Sequence, residues 1–496
     1  MVKKLYYKGL SLLNVLFAAS ECVPFIKTGG LADVIGSLPK ELHGLGLDVR
    51  VILPKYKWID MERYGPFELV VELTIKVGWR NQYCGVQKVV YEGITYYFID
   101  NEFYFGRDGI YGLHDDAERF AFFNKAVLAV LPRIGFCPNV LHLHDWQTGM
   151  MSLLLKAQYS HDPFYTQMKT VFTIHNLQYQ GVFPKSVLSD LFDLSSAYFH
   201  PQGVEFYNNV NYLKAGLVYS GAITTVSETY ANEIQVPFYG EELDGLLQSR
   251  SSDLYGIVNG IDYDTYNPDG DPHIYKFYSE KRLRNKVDNK LRLQRQLGLP
   301  EDRKVPMIAM ITRLTNQKGL DLVERVLTDI VAQDVQFVLL GTGDRKYEEM
   351  FAQAAWHFPD RVSANILFDN TLAHRIYAAA DLFLMPSRFE PCGLSQLIAM
   401  RYGCLPIVRE TGGLKDTVIP YNEETKTGYG FSFTNYNAHD MLYTINRALE
   451  FYRNKPIWNQ LRKSAMKQDF SWHNSAKRYL ELYKKLLTPA RSKEHE

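Results

Sequence analysis

The 496-residue sequence has no excess of either charge: 55 Lys and Arg stand against 55 Asp and Glu. That balance argues against nucleic acid or an anionic membrane as the main partner, since either requires a basic footprint. A neutral partner fits better. Cysteine is scarce: Cys22, Cys84, Cys137, Cys392 and Cys404 are odd in number and form no CxxC, which predicts reduced thiols in a cytoplasmic protein. No metal-ligand spacing appears, and no apolar run approaches the ~20 residues of a membrane span. The start "MVKKLYYKGLSLLNVLFAAS" is basic and then apolar, as in a signal peptide. Asn14 interrupts that run, however, and cleavage near Ala19 would remove the first strand, so it is read as part of the fold. No G-x-G-x-x-G follows that strand and no ribose-binding acid is evident, which argues against a nicotinamide oxidoreductase.

What is present is alternation. Strand-length apolar runs at 11–20, 48–53, 96–100, 140–145, 170–176 and 222–227, then at 307–312, 336–341, 382–387 and 405–408, are separated by helical patterns. Runs without polar interruption fit strands covered on both faces, so the pattern predicts an α/β architecture with mostly parallel sheets. The length allows about three domains at ~150 residues each, or two large ones. Gly, Asn, Asp and Pro crowd "GIVNGIDYDTYNPDGDP" (256–272), where the hinge is placed, and a charged helix-like stretch (281–298) follows. Residues 474–487 read as a helix with one apolar face, and "TPARSKEHE" as a disordered tail.

"KTGGLADVIG" (27–36) follows the first strand. Leu31, Val34, Ile35, Leu38 and Leu42 give one apolar helical face. Strand, glycine-rich turn and helix make a βαβ start whose amides and helix dipole are placed to meet an anion. A second copy, "LPIVRETGGLKDTV" (405–418), matches Thr411, Gly412, Gly413, Leu414 and Asp416 to Thr28, Gly29, Gly30, Leu31 and Asp33. Two doubly wound units are the simplest account.

Other polar residues cluster after the strand-like runs, where such sheets hold ligands. "LHLHDWQTG" puts His142 and His144 on one strand face, read as buried hydrogen-bonded histidines, and Asp145 at the mouth. His175 follows the next strand and by itself is as compatible with a structural role as with a functional one. Arg313 and Lys318 bracket a strand-to-helix loop, an arrangement suited to a phosphate or diphosphate. "VLLGTGD" adds a glycine turn at Gly341 without a phosphate-loop lysine. In "PSRFEPCGLSQL", Glu390 is placed to accept from sugar hydroxyls, while Gly393 is expected to open a helix and present its amide and that of Leu394 to a phosphate. "DYD" (262–264) is read as a turn rather than a metal site.

Taken together, "KTGGLADVIGSLP", "HLHDWQTG", "TIHNLQYQG", "GIVNGIDYDTYNP", "TRLTNQKGLDLV", "AHRIYAAADLFLMPSRFEPCGLSQL" and "RETGGLKDTV", in order from 27 to 418, resemble the bacterial glycogen and plant starch synthases, glycosyltransferase family 5. The resemblance implies a GT-B fold, two doubly wound Rossmann-like domains facing a deep interdomain cleft. The expected domains are 1–256 on the glucan acceptor side, 257–475 binding ADP-glucose, and 476–496 as a C-terminal helix and tail, the helix packing back on the first domain. It also implies retaining transfer of glucose from ADP-glucose to the non-reducing 4-hydroxyl of an α-1,4-glucan such as glycogen, with no metal or organic cofactor.

Carried over by motif, Arg313, Lys318, Glu390, His175 and Asp145 match catalytic positions. Lys27, Thr28, Gly29, Gly30, Asp33, Asn259, Gly341, Cys392, Gly393, Leu394 and Ser395 match substrate-binding ones. Phe368 stands where relatives place an aromatic ring against adenine. Many GT-B enzymes carry a second Glu eight residues after the first; Ile398 holds that position here, as in other family 5 members, so same-face attack assisted by the leaving phosphate is expected. Alternatives are a related transferase using UDP-glucose or a small acceptor, or a silent glucan-binding relative; the latter has no need for the full residue set. Sequence leaves the oligomeric state open.

Overall fold

The computed structural model describes residues 13–488. The basic N-terminal start and the tail beyond Thr488 lie outside the described residues. The chain divides into two compact units: one runs up to Val226 and adds Ala231–Ile257 and the segment from Trp472 on, the other comprises Ser227–Tyr230 and Val258–Ser471.

The first unit is built on β1 (Asn14–Ala18), β2 (Asp48–Pro54), β3 (Glu68–Val77), β4 (Arg80–Tyr91), β5 (Ile94–Asp100), β6 (Val140–His144) and β7 (Lys169–Ile174). Short β8 (Val182–Pro184), β9 (Glu205–Phe206) and β10 (Asn209–Asn211) form a separate three-stranded sheet, and β11 (Ala222–Thr225) and β12 (Leu254–Gly256) complete the large one. Its order is β12-β11-β7-β6-β1-β2-β5-β4-β3. Val15 to Ala18 of β1 are wholly buried, as expected of a central strand covered on both faces. The sheet is parallel from β12 to β5, but β3, β4 and β5 pair antiparallel. Strand β3 at the edge and its neighbour β4 are not evident in the sequence: their residues are largely exposed or half-buried, so they lack the apolar runs that mark the inner strands.

In the helix Gly30–Gly44, Leu31, Val34, Ile35, Leu38 and Leu42 are all buried. Against it packs the helix Trp472–Leu487 from the end of the described chain. Tyr483 reaches through to hydrogen-bond His142 Nδ1 at 2.7 Å, and Arg478 donates to the Gly256 carbonyl.

The second unit has a fully parallel sheet of β13 (Met307–Ile311), β14 (Gln336–Leu340), β15 (Val362–Asn365), β16 (Leu382–Met385), β17 (Leu405–Arg409) and β18 (Phe431–Phe433), in the order β15-β14-β13-β16-β17-β18. Its core joins the inner strands to helices such as Leu320–Val331, whose Leu320, Val323, Val326, Leu327 and Ile330 line one face. Among the described residues no helix is long and apolar enough to cross a membrane, and all five cysteines are free thiols.

Candidate active site

Each sheet reverses its direction of growth once. In the first unit the reversal lies between β1 and β6, in the second between β13 and β16. At such a point the connections leave on opposite sides and open a crevice at the carboxyl ends of the strands. The residues singled out from sequence fall at these two places.

In the first unit the loop after β1 carries Glu21, Lys27 and the glycine pair. Glu21 is 3% exposed. Its carboxylate accepts from the Thr28 and Gly29 amides and, at 2.7 Å each, from the Thr28 and Tyr111 hydroxyls. These amides, expected from the sequence to meet an external anion, find an internal one at two positions. Glu21 lies seven residues before Thr28, and the only signal for it was an acid between a buried strand and a helix start. Lys27 Nζ bonds Asp33 Oδ1 at 2.7 Å. Burial raises the Asp33 carboxyl, and Lys27 draws it partly back. A Cβ on Gly29 or Gly30 would meet no atom within 4 Å, so packing does not demand either glycine, and a bare backbone faces open space.

After β6, Asp145 has φ 56° and ψ −177°, a region that essentially only glycine occupies and that costs another residue about 1–3 kcal/mol. The surrounding bonds hold it there: its amide donates to Thr173 O at 3.0 Å, and its Oδ1 accepts from the His175 amide at 2.8 Å. Desolvation pushes the Asp145 carboxyl up to about 7, against the lowering effect of the His175 and Asn176 amides.

Desolvation also pulls His175 down to about 3 and holds His142 and His144 well below the usual imidazole range. His142 bonds Thr173 Oγ1 at 2.6 Å as well as Tyr483, in accord with the buried hydrogen-bonded role read from sequence. His144 Nδ1 lies 3.0 Å from His175 Nε2, and His144 Nε2 is buried without a partner. Since an orphaned N–H is rarer in protein interiors than an orphaned acceptor, the favoured tautomer has His144 Nδ1–H donating to His175 Nε2. That leaves His175 protonated on Nδ1.

In the second unit Arg313 and Lys318 follow β13. Arg313 is exposed and its guanidinium has no ion-pair partner among the described residues. Lys318 forms a bidentate pair with Glu390, which is 6% exposed and also accepts from Ser387 Oγ at 2.9 Å. Gly319 has φ 69°, and a Cβ there would stand 2.0 Å from Pro386 O, so both its conformation and its surroundings call for glycine. The Arg388 amide donates to Gln317 O and Gln317 Nε2 to Phe389 O, so the two loops are fastened to each other.

Gly341 follows β14, with φ 155° and the Thr312 carbonyl where its Cβ would be. Phe368, after β15, is 87% exposed, an apolar ring offered to solvent. The helix after Glu390 is Ser395–Arg401. Gly393 lies outside it with φ 72°, and Leu394 is its N-cap, a correction to the expectation that Gly393 opens the helix. At φ 72° Gly393 is left-handed and so stands outside the right-handed turns that begin at Ser395. Cys392 is buried, its thiol pushed up to about 12 by desolvation, and the Asn259 backbone bonds it. "DYD" is an Asx turn: Asp262 Oδ1 accepts from the Asp264 and Thr265 amides.

The second glycine pair resembles the first in sequence but differs in cause. A Cβ on Gly412 would lie 2.0 Å from Glu390 O, and on Gly413 2.2 Å from Cys392 O. These glycines let the helix Gly412–Thr417 back onto the Glu390 loop.

Two Rossmann-like units, read with the matches that follow, make this a glycosyltransferase of the GT-B class. The family model described as starch synthase catalytic domain matches residues 14–249, and the one for group 1 glycosyl transferases matches 290–467. The chain is 58% identical over 475 residues to a glycogen synthase of Desulforamulus reducens, covering 96% of this chain and 99% of that one. It is also 58% identical to a glycogen synthase of Geobacillus thermodenitrificans, covering 96% and 98%. Among solved structures it is similar to the catalytic domain of Starch Synthase IV from Arabidopsis thaliana bound to ADP and acarbose, with a TM-score of 0.91 at 35% identity, covering 96% of this chain and 100% of that one. The chain belongs to the starch and glycogen synthase family.

Proposed function

We propose that the protein elongates an α-1,4-glucan, moving glucose from ADP-glucose to the 4-hydroxyl at the non-reducing end with retention of configuration and release of ADP. The observation that carries this reading is the grouping of Arg313, Lys318 and Glu390 after β13 and β16, at the switch point of the second unit. The Arabidopsis relative, whose structure holds ADP and acarbose, supports the substrate pair.

In this reaction the bond from glucose C1 to the diphosphate oxygen breaks, a bond from C1 to the acceptor O4 forms on the same face, and the acceptor proton passes to the departing phosphate. Positive charge develops on the sugar and negative charge on the diphosphate. Arg313 and Lys318 stabilise that charge more in the transition state than in the ground state. Glu390, already held by Lys318 and Ser387, orients sugar hydroxyls rather than attacking C1. A glycosidase doing this with a nucleophile would pair two carboxylates, and Ile398 stands where many GT-B enzymes have the second.

Asp145 and His175 line the sugar side. Lys27, with Thr28, Asp33 and the open face of Gly29-Gly30, approaches donor diphosphate and sugar, and Phe368 offers its exposed ring to the adenine. Gly341, Asn259 and the Cys392–Ser395 turn complete the donor contacts. No metal or organic cofactor takes part, and the protein works in the cytoplasm.

The test is incubation with ADP-[14C]glucose and glycogen. Label should enter polymer in amylase-sensitive linkages, and excess unlabelled UDP-glucose should not dilute it. Dilution by UDP-glucose would overturn the donor assignment, and label absent from polymer would overturn elongation.

A further inference from the structure

At the amino ends of the second unit's central strands lies a cavity of about 450 Å³. It is framed by Asp381, just before β16, by Arg303 and Lys304, four and three residues before β13, and by the starts of the helices Arg284–Gln296 and Lys455–Met466. The residues assigned to the donor follow the carboxyl ends of these strands, so this cavity is separate from them.

Its lining is one-sided. Nine cationic side chains and two acids, Glu280 and Asp381, face it, in a chain whose formal net charge is zero. Asp381 is already committed: it pairs with Lys290 Nζ at 2.6 Å and accepts from the Met307 amide at 3.0 Å. Around the mouth, Lys281, Arg284, Arg303, Lys304, Lys455 and Lys463 are exposed and have no ion-pair partner among the described residues.

The cavity wall carries a second, independent sign. Arg462 is 7% exposed, and its Nε and Nη2 are buried without a hydrogen-bond partner. Trp458, 1% exposed one helical turn earlier, has an indole Nε1 in the same condition. Buried donors are rarely left unsatisfied, and a buried unpaired guanidinium is costly. Lys286 is satisfied only by the Tyr377 and Ala378 carbonyls, and burial pulls its ammonium down to about 7. An anion in the cavity would offset the field of the mouth cations and of the buried Arg462 and Lys286 behind them, a field that Asp381 meets only in part.

We infer that this cavity is a binding site for a small anion carrying two or more linked phosphates. A single carboxylate would neutralise one or two of the mouth cations and leave the rest repelling one another. A phosphate chain matches several point charges together with the exposed guanidinium forks of Arg284 and Arg303, and the volume is that of a small-molecule site. Inorganic polyphosphate and the phosphate tail of a nucleotide share this chemistry.

The experiment is calorimetric titration of the full chain with sodium tripolyphosphate, in saturating ADP and about 0.15 M salt, with sulfate at equal ionic strength as control. One saturable site per chain is expected for tripolyphosphate and none for sulfate. The exposed double variant R303E/K304E should weaken binding by roughly tenfold or more while ADP affinity and thermal midpoint stay unchanged. A parallel titration with ATP assigns the source: equal affinity means the phosphate chain alone is recognised, tighter binding that the nucleoside adds contacts. Absence of saturable heat, saturation by sulfate, or an unaltered affinity in R303E/K304E overturns the inference.

Discussion

Lys318 Nζ lies 2.7 and 3.0 Å from the two carboxylate oxygens of Glu390. Both side chains are largely buried, whereas Arg313, the other cation of the same loop, is exposed and has no ion-pair partner among the described residues. The two cations therefore divide the labour: one also supports the fold, the other does not.

Replacing Arg313 by Ala should reduce kcat by roughly a hundredfold or more with the melting temperature unchanged. Lys318→Ala should reduce kcat similarly and also destabilise the protein by about 3 kcal/mol, because Glu390 would be left buried without its partner. Steady-state kinetics and thermal melts on both variants check this; equal melting behaviour would contradict the division.

The two glycine pairs should respond in opposite ways. Gly29→Ala and Gly30→Ala meet no atom within 4 Å and should melt with the parent while raising KM for the donor. Gly412→Ala and Gly413→Ala force a methyl against the Glu390 and Cys392 carbonyls, which should cost about 1–3 kcal/mol. Melting curves set beside donor saturation curves separate the two outcomes.

Asp145→Gly removes a strained φ but also the acceptor for the His175 amide. The relief, about 1–3 kcal/mol, offsets the lost hydrogen bond, so stability should change little while kcat falls steeply. A large drop in melting temperature would show that the backbone is not strained there.

Acid should destabilise the first unit through its histidines. His142, His144 and His175 stay neutral when folded and titrate near 6.5 when unfolded. Below that value the unfolded chain binds more protons, and each histidine removes about 1.4 kcal/mol of stability per pH unit. For His175 this continues to about pH 3. Asp145 has the opposite sign: its raised carboxyl, near 7, binds a proton in the folded state that the unfolded chain has released above ~4, so its contribution weakens as pH rises from about 4 to 7. Denaturant midpoints at several pH values should show a shallower acid slope in His175→Asn and a steeper one in Asp145→Asn.

The inner parallel strands were legible because burial on both faces leaves uninterrupted apolar runs, as in β13 and β16. Strand β3 at the edge and β4 beside it escaped because most of their residues are exposed or only half-buried. The positions of Arg313, Glu390 and His175 after strands were legible from residue type and spacing, but a role for His175 came only with the family resemblance. Pairings were not legible: that Lys318 clasps Glu390, 72 positions away, is a product of strand order. Glu21 was hidden for another reason, since an acid satisfied by backbone amides leaves no pattern in side-chain types. The cationic cavity draws on segments near 281, 303, 381 and 458, each of which alone reads as an ordinary solvated helix start or loop.

The helix Trp472–Leu487 belongs to the first unit although the whole of Val258–Ser471 intervenes. On a ribosome adding ~5–20 residues per second, the nascent first unit would wait roughly 10 to 40 s for it. During that interval His142 lacks Tyr483 and the face of Gly30–Gly44 that this helix covers is bare, so the half synthesised first is the half finished last and is the one a chaperone would need to shield.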